Sequence, residues 1–240
     1  MAGADAATTI TALARNANPS PTRIVDIGCG RGTTTARLAR EFPDATVAAI
    51  DQSPALLAAA RDRLHREHLR AALIAADFHR LPLAGGSVDL AVAAFCLYHS
   101  PHPEHALTEI SRCLRPGGHL IVTTKSADSY RAIDTRIADS GLDPDAALRP
   151  SLYQTFHRAN AEQTVSAAGL LVRDRVDQQH TFRFDGLDHL ADYAATCPKY
   201  QLPAELTHDP QQLTLALRER LPDTPTIATS TVTYLVAVKP

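Results

Sequence analysis

The chain has 240 residues, 45% of them hydrophobic, with 24 basic side chains against 26 acidic ones. That length can bury a sizeable α/β core, and the near-neutral balance excludes a general attraction to nucleic acid, leaving a small molecule as the favoured partner. The opening stretch, MAGADAATTITALARNANPSP, carries neither a basic leader nor a continuous apolar core, so the expectation is a cytoplasmic protein without a membrane partner.

Cys29, Cys96, Cys113 and Cys197 are widely spaced and form no CxxC pair, which predicts reduced thiols rather than disulfides or structural zinc. In chain order, Ile24-Val25-Asp26-Ile27 reads as a buried strand that breaks into Gly28, Gly30 and Gly32 and then into a helix over 33–42. Glycine at these alternate places removes Cβ atoms where the backbone must bend sharply and lie close to a ligand. A second strand over 46–50 delivers Asp51, with Gln52 beside it, to the edge where open α/β sheets bind ligands. Ser53-Pro54 supplies the N-cap and first-turn proline of a helix over 54–69, whose charged stretch RDRLHREHLR is a solvated face.

A third strand, 71–75, ends in Ala76-Asp77-Phe78, and the apolar run 87–95 reads as a central strand covered on both faces. It opens into Cys96-Leu97-Tyr98-His99-Ser100-Pro101, followed by a helix from Pro103 with Ala106, Leu107, Ile110, Cys113 and Leu114 on one face. Arg115-Pro116-Gly117-Gly118 then reads as a turn into a strand over 119–124. Downstream, Tyr130, Ile133 and Ile137 fit one helix, and 143–158 is expected to be a connection rather than regular core. Asn160 and Gln163 suggest a capping box for a helix ending at Gly169. Residues 170–176 and 180–184 read as a broken sixth strand, 185–222 as an insertion with two helices, the second starting at Asp209-Pro210, and 230–238 as the terminal strand.

A dinucleotide fingerprint would need its third glycine where this chain has Thr33. The order in VDIGCGRGTTT, an acid and then glycines two, four and six places later, instead resembles the first motif of class I S-adenosylmethionine-dependent methyltransferases. The block FCLYHSPHPEHALTEISRCLRPGGHLIVTT resembles the same family's fourth strand, helix and leucine-arginine-proline-glycine-glycine segment, in the right order. The resemblance covers about 23–124 well and the last two strands by position only. It implies a Rossmann-like, seven-stranded, mainly parallel sheet with the last strand antiparallel and helices on both faces. It further implies one methyltransferase domain over 1–240, with helical lid insertions at about 126–159 and 185–222.

The cofactor implied is S-adenosyl-L-methionine, held by Asp26, Gly28, Gly30, Gly32, Asp51, Gln52, Asp77 and Phe78. In this scheme Asp51 accepts the ribose hydroxyls, Asp77 accepts the adenine amino group and Phe78 lies against the ring. His99 follows the fourth strand at the ligand edge and is the candidate general base, with loop orientation as the competing role. Tyr98 is a weaker contact candidate, and Tyr153, His157 and Tyr200 are candidates for a substrate-facing lid. His99, His102 and His105 with Glu104 raise a metal reading, but the intervening prolines disfavour one helical ligand face, and no metal is expected. The chain lacks the Asn-Pro-Pro-Tyr-type loop of the family's nucleic-acid amino methyltransferases, which favours a small O or N acceptor, with natural-product metabolism as one setting. Two alternatives stay open: a non-methylating enzyme using the same cofactor, such as a cyclase or decarboxylase, and a cofactor-binding regulatory subunit.

Overall fold

The computed structural model describes residues 5–240, so residues 1–4 of the expected 1–240 domain lie outside it. Asp5 caps α1 (Ala6–Ala17) by accepting the Ala7 N–H, and β1 (Arg23–Ile27) follows. The glycine turn leads into α2 (Thr33–Glu41), then β2 (Thr46–Asp51). Ser53 caps α3 (Pro54–Arg66) through the Leu56 N–H, with Pro54 in the first turn, as expected from the sequence. β3 (Ala72–Ala75), β4 (Val88–Ala94), a single 3-10 turn (Leu97–His99), α4 (Pro103–Cys113) and β5 (Leu114–Lys125) complete the part that resembles the family. α5 (Arg131–Asp139), α6 (Ala161–Ala167), β6 (Leu171–Phe184), α7 (Leu187–Ala194), α8 (Pro210–Arg218) and β7 (Thr226–Val238) follow.

The strands form one sheet in the order β3-β2-β1-β4-β5-β7-β6. The β3–β2, β2–β1, β1–β4 and β4–β5 pairs are parallel, and β7 runs antiparallel to β5. Period-two alternation sorts the central side chains into two cores. Val25, Ile27, Ala91, Ala93, Leu120 and Val122 pack with Leu107 and Ile110 of α4, whereas Ile24, Leu90, Val92 and Ile121 pack with Ile10, Leu38 and Phe42 on the other face. The chain proceeds outward from β1 through β2 and β3, then returns to the other side of β1 with β4, so strand order reverses between β1 and β4. Ligands of open α/β sheets bind at the carboxyl ends of strands at such a point.

Contacts divide the chain into two compact units. The first holds the chain up to Lys125, Thr155–Asp177 and Val232–Pro240; the second holds Ser126–Gln154 and Gln178–Thr231. The second has its own core, with Ile133 and Ile137 of α5, Leu187 and Leu190 of α7, and Leu213 and Leu217 of α8 fully buried.

Several local readings are corrected. Arg115–Gly118 is not a free turn but part of β5: Val88 pairs with Leu114 and Leu90 with His119, so the segment bulges opposite Asp89. Gly117 donates to the Lys239 carbonyl and Lys239 to the Gly118 carbonyl, which extends the antiparallel ladder across the expected break. β6 is continuous through 177–179, and β7 begins at Thr226, earlier than expected. Asn160 makes no side-chain cap; its Oδ1 accepts the His157 N–H and its Nδ2 donates to the Thr155 carbonyl. The 143–158 connection has no regular element, yet Phe156 is fully buried in the core beside α4 and Tyr153 is also buried.

Candidate active site

β1 ends in a turn whose three glycines all have positive φ, at +63° for Gly28, +54° for Gly30 and +74° for Gly32. Their surroundings differ. A Cβ on Gly28 would stand 2.4 Å from the Cys96 Cβ, and one on Gly32 would stand 2.9 Å from the Ala60 Cβ, so these two permit close packing within the protein. A Cβ on Gly30 would meet nothing within 4 Å. Gly30 faces open space.

That space is a cavity of about 510 Å³ at the carboxyl ends of β1, β2, β3 and β4, within the range of small-molecule sites. Gly28, Gly30, Asp51, Gln52, Phe78 and His99 all line it. Asp51, buried at the end of β2, holds the turn: Oδ2 accepts the Gly30 N–H at 2.9 Å and Oδ1 accepts the Ser53 N–H at 2.9 Å. Each carboxylate oxygen has a second lone pair for a further donor.

Asp26 and Gly32 do not line the cavity. Asp26 is buried beneath the turn, where its Oδ2 accepts the Thr35 hydroxyl at 2.6 Å and so pins the first turn of α2 to β1. Burial pushes its pKa up to about 7 against the opposing Thr35 hydrogen bonds. Asp77 stands beside the cavity's Ala76 and Phe78 but is largely exposed; its Oδ1 accepts both the backbone N–H of His79, at 2.9 Å, and the His79 ring at Nδ1, at 2.7 Å. The His79 backbone hydrogen bond, then the ring bond, hold the Asp77 pKa below its usual value.

His99 closes the 3-10 turn after β4, its ring partly open to solvent at the cavity and 4.5 Å from the Tyr98 ring centroid. Desolvation lowers its pKa below the ordinary imidazole value, and the Asp51 charge opposes that only in part. A neutral imidazole able to accept a proton is therefore the dominant form at pH 7. Tyr98 packs against the core rather than lining the cavity, and its carbonyl accepts the Thr155 hydroxyl.

Tyr153 and Tyr200 belong to the second unit, where both are buried and border a small cavity with Asp134, Tyr193 and Lys199. His157 belongs to the first unit but not to its large cavity; its Nδ1 accepts the Ala159 N–H. His102, Glu104 and His105 are exposed and come within 4.8 Å of one another by one potential ligand atom each. They sit at the amino terminus of α4, whose dipole disfavours a cation.

Sequence reasoning missed Phe95, Cys96 and Leu56 as lining residues. Phe95 has φ +55°, a conformation a bulky side chain rarely adopts, directly at the cavity wall. In the sequence it is only the last residue of an apolar run and carries no mark of that backbone. All four cysteines are free, and Cys29, Cys96 and Cys113 are buried.

The cavity fits an adenosyl amino acid in three respects: a cradle where Gly30 leaves room, a buried acid at the end of β2, and an aromatic side chain beyond β3. Residues 25–122 match the family model described as a methyltransferase domain. The malonyl-[acyl-carrier protein] O-methyltransferase of Laribacter hongkongensis is 36% identical over 131 residues, covering 52% of this chain and 43% of that protein. The trans-aconitate 2-methyltransferase of Methylobacterium nodulans is 37% identical over 110 residues, covering 46% and 41%. The chain thus matches less than half the length of these relatives.

Among solved structures, a candidate methyltransferase from Bacillus halodurans C-125 superposes with a TM-score of 0.70 at 19% identity, covering 99% of this chain and 100% of that one. The [4+2]-cyclase SpnF superposes with a TM-score of 0.60 at 21% identity, covering 97% and 81%. Such likenesses establish the fold alone. The sheet order and the glycine turn thus agree with the methyltransferase domain matched over residues 25–122.

Proposed function

We propose that this protein transfers a methyl group from S-adenosylmethionine to an oxygen or nitrogen of a small molecule, inside the cytoplasm, where its free thiols would stay reduced. The observation that carries the reading is the convergence of Gly30, Asp51, Phe78 and His99 on one cavity of the matched domain. When bound, the cofactor supplies a methyl group already activated by its sulfonium.

The chain's residues have positioning to do. Gly28 and Gly30 shape the turn, Asp51 accepts the ribose hydroxyls on the lone pairs its backbone contacts leave, and Gln52 borders that end. Asp77 accepts the adenine amino group and Phe78 covers the ring. Asp26 and Gly32 act from behind, holding the turn against α2 and α3. His99 accepts the acceptor's proton as the new bond forms, a step its lowered pKa suits. Holding acceptor and methyl in line and excluding water supply the remaining acceleration. The second unit, whose helices form a core of their own, is assigned the choice of acceptor, with Tyr153 and Tyr200 among its buried groups.

Calorimetry with S-adenosylmethionine, S-adenosylhomocysteine and NAD tests the cofactor, and a labelled-methyl assay against a metabolite panel, read by mass spectrometry, tests the reaction. Binding of NAD without S-adenosylhomocysteine would remove the assignment. Asp51→Asn should weaken adenosylhomocysteine binding by about 1.5–3 kcal/mol, the scale of a hydrogen bond to a charged group. Tight cofactor binding with no transfer to any acceptor would favour the regulatory alternative.

A further inference from the structure

We propose that His79 is a positioning residue that orders Asp77 for an adenine amino group and ties that end of the site to the loop bearing His99. The inference rests on the cofactor reading above and extends it to a residue outside the cavity wall.

One imidazole bridges two loops. The His79 Nδ1 lies 2.7 Å from Asp77 Oδ1, after β3, and its Nε2 lies 2.7 Å from the Ser100 Oγ, after β4. Ser100 is 1% exposed and directly follows His99, so the far end of the bridge is anchored in the protein interior. The Ser100 Oγ also accepts the His102 N–H at 2.8 Å, and because the Asp77 carboxylate can only accept, the neutral ring meets both partners when its Nε2 accepts the Ser100 hydroxyl. The ring's remaining proton is then on Nδ1, pointing at Asp77. One neutral tautomer satisfies the whole chain of contacts.

The consequence falls on Asp77. Its side chain is 59% exposed, and alone it would be a rotating surface carboxylate. His79 engages Oδ1 twice, through its backbone N–H and its ring, and so fixes the plane of the carboxylate. Among the described residues no hydrogen bond reaches Oδ2, which is left as the acceptor for a ligand donor. Ordering this group before binding removes an entropic cost that the ligand would otherwise carry. Phe78 lies between the two anchors in sequence, its ring centroid 4.7 Å from that of His79, so the aromatic wall is held by the same ring.

The test is calorimetric titration with S-adenosylhomocysteine and with S-inosylhomocysteine, in which a carbonyl replaces the adenine amino group. The wild-type chain should prefer the adenosyl ligand by tenfold or more. His79→Ala should bind it about tenfold more weakly and cut the preference below threefold. His79→Asn, whose amide reproduces the Nδ1 donor without reaching Ser100, should keep the preference, whereas His79→Gln, which reproduces only the Nε2 end, should lose it. Ser100→Ala should weaken binding in the His79 background and change nothing further in His79→Ala. An unchanged preference in folded His79→Ala, an Asn and Gln pair that behave alike, or an equal Ser100→Ala effect in both backgrounds would overturn the proposal. Absence of adenosylhomocysteine binding by the wild-type chain would instead overturn the cofactor reading on which it rests. Should His79→Ala fail to fold, the Asn and Gln pair decides.

Discussion

At the scale of single residues, three glycines that look equivalent in the sequence have separate physical reasons, and only their surroundings reveal them. Gly28→Ala and Gly32→Ala would drive a Cβ into the Cys96 and Ala60 side chains, at 2.4 and 2.9 Å, so both should destabilise the protein whether or not a ligand is present. Gly30→Ala meets open space, and its positive φ costs about 1–2 kcal/mol. Its larger effect should be on adenosylhomocysteine affinity, with a loss of tenfold or more, because the new methyl enters the cavity. Thermal melts and calorimetry on the three variants separate the cases; equal affinity losses at equal stability would remove the distinction. His99 makes a kinetic prediction once an acceptor is found. A base must be deprotonated, so turnover should rise with pH through the His99 pKa, which lies below the usual 6.5, and stay flat above it. His99→Ala should lose about a hundredfold in turnover together with that acidic limb. If the limb persists in His99→Ala, another group is titrating and His99 only positions the loop. The residue types at the strand ends were legible because chemistry selects them. Phe95 was not, since nothing in an apolar run marks a backbone at φ +55°.

At the scale of elements, residues 23–113 were readable because their strands are short apolar runs closed by turn residues, whereas the sequence reading had no counterpart to α1. Ser53-Pro54 and Asp209-Pro210 both cap as their composition suggests. The misreadings occurred where long-range pairing overrides local signals. Arg115-Pro116-Gly117-Gly118 has turn composition, yet Lys239 pairs with it from the far end of the chain and draws it into β5. Asp89 stands opposite this bulge and joins three segments. Its Oδ2 accepts the Thr22 N–H at 2.8 Å, the Thr22 hydroxyl at 2.6 Å and the Arg23 N–H at 2.8 Å, while Oδ1 accepts from the Arg115 guanidinium. Burial opposes the charge, but these donors prevail and hold the pKa at about 2. The folded pKa is therefore below the unfolded value of about 3.8, so the contribution is complete above that value and is lost as pH falls through about 2. Asp89→Asn should lower stability at pH 7 by about 2–3 kcal/mol on that shift. The gap to wild type, followed by urea unfolding, should close toward pH 2. A gap that stays constant with pH would mean that shape rather than charge holds this corner.

At the scale of the whole molecule, the division into two units decides which variants can affect which property. Every residue lining the proposed cofactor cavity belongs to the first unit. The second contains a nearly buried ion pair, Lys199 with Asp134, whose side chains are 11% and 10% exposed, and Asp134 Oδ1 also accepts the Tyr200 hydroxyl at 3.0 Å. The sequence hinted at Tyr200 but not at its partner, which is 66 residues away and carries no motif. Removing one member of such a pair strands the other charge in a poorly solvated place, at a cost of about 3–5 kcal/mol, while removing both leaves only a packing defect. Asp134→Ala should therefore be strongly destabilised, and Asp134→Ala with Lys199→Met should recover much of the loss. Adenosylhomocysteine affinity, measured well below the unfolding transition, should stay within about twofold of wild type in both. Acceptor turnover should fall in both, if the second unit selects the acceptor as proposed. A tenfold loss of cofactor affinity in a folded Asp134→Ala chain would show that the second unit helps to build the cofactor site, and unchanged acceptor kinetics in both variants would take acceptor choice away from this corner of it.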